Sequence, residues 1–83
     1  MKFELYSRVA LAEDLAVENL RRGDIATIIE CYEGLSNQQP GYEIEVFNAV
    51  GETISFVTVR ESQIEPLRRD EVLTVRPRLA TAA

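Results

Sequence analysis

Between Tyr42 and Val46 apolar and acidic side chains alternate without a break: Tyr42, Ile44 and Val46 fall on one face, Glu43 and Glu45 on the other. A repeat of two is the period of a half-buried β-strand, whereas a one-faced helix repeats every 3.6 residues. The stretch Asn48-Ala49-Val50-Gly51-Glu52 then supplies a short hairpin connection with Gly51 near its end. Residues 53–59, Thr-Ile-Ser-Phe-Val-Thr-Val, are rich in β-branched and aromatic side chains and return as the next strand.

The segments on either side point the same way. Gly23-Asp24 is a turn signal that opens residues 25–32, Ile-Ala-Thr-Ile-Ile-Glu-Cys-Tyr. That run is too apolar for a simple one-faced strand and suits the middle of a small barrel. Residues 33–41 hold two glycines, a proline and a polar centre, the composition of a loop. Residues 8–11 read as a first strand. Residues 12–22 are ambiguous: Leu11, Leu15 and Leu20 fall near one helical face, Asp14 can cap it, and Arg21-Arg22-Gly23 suits a helix end. Two turns are marginal as a free-standing helix, so the segment reads as a long loop with at most a short helical turn. After 59, residues 62–64 suit a single turn and 65–67 a short edge segment, since Pro66 has no N–H to give a ladder. Residues 71–76 have the pattern of a further strand stopped by Pro77, and 79–83 read as a frayed tail.

This order is strand, long loop, three-strand meander, one turn, last strand. It specifies a mainly β fold, a small SH3-like, partly open barrel of five to six strands. Residues 1–76 form the single barrel domain and 77–83 a flexible C-terminal tail. An OB-fold is the alternative, but it needs a helix between its third and fourth strands, where no helix-length segment lies.

With 83 residues the chain suffices for one domain. An apolar fraction of 46% and a charged fraction of 28% are ordinary for a globular protein. One cysteine, Cys31, permits no intramolecular disulfide. Residues 1–6 lack the apolar run of a signal peptide, and no stretch approaches the ~20 apolar residues that span a bilayer. The expectation is a soluble, cytoplasmic protein. Residues 1–59 carry 4 basic and 10 acidic side chains and residues 60–83 carry 5 and 4, so an acidic body precedes a mildly basic end. An acidic body repels phosphate backbones and anionic membranes.

The string Gly23-Asp24-Ile25-Ala26-Thr27-Ile28-Ile29-Glu30, with Tyr32, Tyr42 to Phe47, Gly51-Glu52-Thr53, Thr58 and Ile64, resembles an uncharacterised family of small bacterial proteins. The family is abundant in cyanobacteria and catalogued as a domain of unknown function. The resemblance covers roughly residues 4–76. Ala26 stands where members often carry Gly, and Ala16 where they often carry Pro. The pattern is also similar to SH3-like modules of the KOW type found in ribosomal and transcription proteins. The resemblance implies an SH3-like barrel and no established activity. Where such genes lie beside toxin genes, it implies an antitoxin-like role.

The chain has no histidine, which removes the commonest general base and metal ligand. The expectation is a protein that is not an enzyme and has no cofactor, metal or catalytic residues. Cys31 lies in an apolar strand beside Glu30 and Glu33, a place for a buried, unreactive thiol. Glu43, Glu45 and a nearby Glu30 read as a solvated barrel face. Arg21-Arg22 and Arg68-Arg69 are each followed by acids that neutralise them locally. Tyr6, Tyr32 and Tyr42 suit core or rim packing rather than a proline-peptide groove, which usually carries a tryptophan. A short apolar strand beyond the barrel's end must cover its own barrel or pair with another chain. Val72, Leu73, Val75 and Arg76 are therefore the candidate interface, for a protein partner or for self-association as a homodimer. The expected role is a protein-interaction module, accessory or antitoxin-like; the alternative is a nucleic-acid-associated KOW-type barrel, which the acidic charge disfavours.

Overall fold

The computed structural model describes residues 2–78. Five strands form one antiparallel sheet: β1 (Arg8–Leu11), β2 (Ile25–Tyr32), β3 (Gly41–Phe47), β4 (Thr53–Arg60) and β5 (Ile64–Pro66), in the spatial order β4-β3-β2-β1-β5. The long loop between β1 and β2 holds a single 3-10 turn, Ala16–Glu18, and a second such turn, Glu61–Gln63, joins β4 to β5. The edge strands β4 and β5 do not pair with each other, so the sheet stays open rather than closing into a barrel.

The alternation of β3 is realised: Tyr42, Ile44 and Val46 are buried, with Tyr42 and Ile44 at 0% exposure. They join Val9, Leu11, Leu20, Ala26, Ile28, Val57, Val59, Ile64 and Phe3 in one core cluster. No second sheet or helix layer lies among the described residues to cover this face. The sheet must therefore curl over its own inner side, since an apolar face needs some layer against it.

Two β-bulges shape that curl. In the β2–β3 ladder Ile28 faces Ile44 and Glu30 faces Glu43, leaving Ile29 as an extra residue. In the β3–β4 ladder Val46 faces Ser55 and Phe47 faces Thr53, leaving Ile54 extra. A bulge bends its strand and resets which side chains point inward. The first turns Glu30 outward and sets Cys31 opposite the core residue Tyr42. That explains the excess apolar content of β2. Cys31 is half-buried against the core rather than fully inside it.

The loop between β1 and β2 is held at several points. Ala12 N–H donates to the Gln63 carbonyl at 2.8 Å, Leu15 and Leu20 form an isolated bridge, and Arg22 N–H donates to Asp14 Oδ1 at 2.8 Å. Leu20 is 2% exposed, so the loop contributes a core residue. Its last turn needs Gly23, whose φ of +92° lies in the left-handed region.

The strand expected over 71–76 is absent: residues 71–78 have no regular secondary structure. Five strands, not six, make the sheet. The local pattern there is strand-like, but among the described residues no partner strand lies beside it. Residues 79–83, read as a frayed tail, lie outside the described residues. Among the described residues no helix is long and apolar enough to cross a membrane.

Candidate interaction surface

Beyond Pro66 the chain makes a self-contained turn and then folds back. Glu71 N–H donates to the Arg68 carbonyl at 3.1 Å, and Arg68 N–H donates to Glu71 Oε1 at 2.6 Å. The Arg68 guanidinium reaches Asp70 at 3.2 Å, so this arginine is neutralised locally as expected. Residues 72–78 then run as an open strap towards the start of β2. Among the described residues no backbone hydrogen bond ties this strap to the sheet.

Side chains hold it instead. The Arg76 guanidinium forks onto the Asp24 carboxylate: Nε donates to Oδ1 at 2.9 Å and Nη2 donates to Oδ2. A planar fork on a carboxylate gives two charge-assisted bonds in one fixed orientation. Asp24 is positioned for this role, because Arg21 N–H also donates to its Oδ2, at 2.8 Å. Hydrogen bonding to Asp24 pushes the Arg76 pKa above its ordinary value, against a smaller opposing effect of burial. Two residues on, the Arg78 guanidinium donates to the carbonyls of Glu18 and Asn19, at 3.0 and 3.3 Å.

The expected interface residues thus divide. Val72, Leu73 and Val75 are exposed, at 85%, 57% and 87%. Arg76 instead turns inward to its own chain. A cavity of about 720 Å³ lies between the strap and the body. Leu73 and Val75 line it on one side, and Ile25, Val46, Val50 and Ile54 on the other. Asp24 and Arg78 belong to this site and went unseen in the sequence. Asp24 reads locally as a turn residue, and nothing local marks a partner 52 positions away.

A second surface covers the outer face of the sheet. Glu30 and Glu43 stand directly opposite each other across β2 and β3, and Glu45 lies on the same face between Thr27 and Phe56. Among the described residues no ion pair reaches Glu30 or Glu43. Like charges set opposite each other weaken a sheet. Exposed Phe56 and Tyr32 flank it. Desolvation first, then Glu43 and Glu30, raises the pKa of the Tyr32 hydroxyl. The three tyrosines do not share a groove, because Tyr42 is wholly buried while Tyr6 and Tyr32 are exposed.

No curated protein and no solved structure matches the chain. A family model does match, over residues 5–66, which run from just before β1 to the last residue of β5. The strap lies beyond that span, and the chain belongs to the family described as Domain of unknown function (DUF4926).

Proposed function

We propose that the chain is a non-enzymatic protein-interaction module, an accessory or antitoxin-like subunit that acts by binding another protein. The observation that carries this reading is the strap. It presents three exposed apolar side chains, Val72, Leu73 and Val75, on a segment that the Arg76 and Arg78 side chains hold to the body. A small acidic domain gains nothing in isolation from exposed valines at the edge of a cavity. Contiguous exposed apolar groups mark contact surfaces. The acidic outer face supports a partner with a basic surface and would speed encounter with it. The same face counts against a phosphate-backbone ligand. The absence of histidine from the sequence supports a role without catalysis.

The test is capture of partners from the native cytosol on the tagged full chain, followed by mass spectrometry and measurement of stoichiometry. One protein recovered in a fixed ratio, and lost with Val72→Asp/Val75→Asp, is the expected result. Both valines are exposed, so the double variant should melt within about 0.5 kcal/mol of the parent. Recovery of nuclease-sensitive material instead would overturn the reading.

A further inference from the structure

The strap occupies its groove without filling it. The family domain ends at Pro66, with its core complete. The added segment then returns to that domain, yet among the described residues its backbone forms no hydrogen bond there, and its apolar side chains stay largely in solvent. A cavity of about 720 Å³ remains beneath it. The contacts that do form are specific. Asp24 is 17% exposed in its side chain, is aimed by the Arg21 N–H, and takes a guanidinium as a fork. The carbonyls of Glu18 and Asn19 take a second guanidinium, and Asn19 holds a left-handed φ of 55° at the end of its turn.

We infer that this groove is a docking site for an extended peptide segment of a partner protein, bearing two apolar residues two positions apart followed by an arginine. Residues 73–76, Leu-Thr-Val-Arg, act as a tethered surrogate for it. The arginine is specified by charge complementarity with Asp24. The apolar residues are specified by Ile25, Val50 and Ile54, which line the cavity and keep part of their surface exposed. A partner segment that inserts its side chains buries area that the strap does not, and so can displace it. The inference rests on the interaction-module reading and adds the chemistry of the partner.

A short tether holds its ligand at an effective concentration on the order of millimolar. A free peptide of ~100 μM intrinsic affinity therefore meets about a tenfold handicap against the closed strap. The experiment titrates a fluorescein-labelled synthetic peptide of residues 70–78 with the full chain. The parent, Arg76→Ala/Arg78→Ala, and that variant with Asp24→Asn are compared by fluorescence anisotropy. The released variant should bind about tenfold more tightly than the parent, and Asp24→Asn should abolish that gain. Equal affinity for parent and released variant overturns the inference, and so does tight binding that survives Asp24→Asn. Circular dichroism checks that each variant is folded. Should the released variant not fold, the parent is titrated with millimolar unlabelled peptide while the Arg76 side-chain NMR signals are followed. Their displacement supports the inference and their invariance overturns it. A released chain that ignores the peptide yet still captures a partner protein overturns the groove assignment alone. One that binds the peptide supports the groove even if capture from cytosol fails.

Discussion

Tyr42 joins three distant parts of the chain. Its ring lies edge-on to Phe3 at 5.5 Å, its hydroxyl accepts from Phe3 N–H at 3.3 Å, and it donates to Glu61 Oε2 at 2.6 Å. One fully buried side chain thus fixes the N-terminal segment and the turn before β5. Tyr42→Phe should cost about 1–3 kcal/mol at neutral pH, read by urea denaturation, because a part-buried bond to a carboxylate is lost. Burial first, then the bond to Glu61, raises the Tyr42 pKa above its ordinary 10.0. The folded state therefore keeps a proton that the unfolded chain releases. That stabilisation is complete below pH 10.0 and is lost as pH rises through the folded value. Parent stability should fall above about pH 10, and the Tyr42→Phe variant should fall less steeply over the same range. Ile44, opposite Ile28 at the centre of the core, offers a packing test without polar effects. Ile44→Ala should cost about 2–5 kcal/mol. These two residues were legible in the sequence, since strict alternation assigns a face without reference to anything distant. Asp24 was not, because its role depends on an arginine that the fold alone brings near.

At the level of elements, the bulges decide which faces the strands present. Deleting Ile29 would regularise the β2–β3 ladder and straighten β2, while Glu30 stays opposite Glu43 and Cys31 opposite Tyr42. Glu30 therefore stays outward and Cys31 stays against the core. The deletion should therefore keep a single cooperative transition in a thermal melt, and loss of that transition would show that the bend itself is required. The boundaries of β1, β2 and the hairpin were readable from β-branched runs and turn residues, which act locally. The bulges were not, because an extra residue is defined only against its partner strand. The false strand at 71–76 failed for the same reason: Val72, Leu73 and Val75 match a strand pattern, but pairing needs a sheet edge alongside, and the strap instead runs past the start of β2. Hydrogen exchange checks the strap's state directly. Amides of residues 72–76 and 78 should exchange near their unprotected rates, while those of β2 and β3 should approach the global limit.

Across the whole molecule, the core lies against one sheet, with Phe3 and Leu20 added from outside it. Covering its inner face leaves the outer face of β2 and β3 to carry Glu30, Glu43 and Glu45, and it leaves two free edges of unequal kind. The β5 edge is three residues long and ends in Pro66, which has no N–H to offer. The β4 edge runs eight residues, with Phe56 exposed along it. A strand can be added to this sheet on one side only. Two copies meeting edge to edge along β4 consume that side in both, and neither retains a place for a third. Association of this kind stops at the pair: the short proline-ended edge denies the sheet the second valence that an open-ended fibre requires.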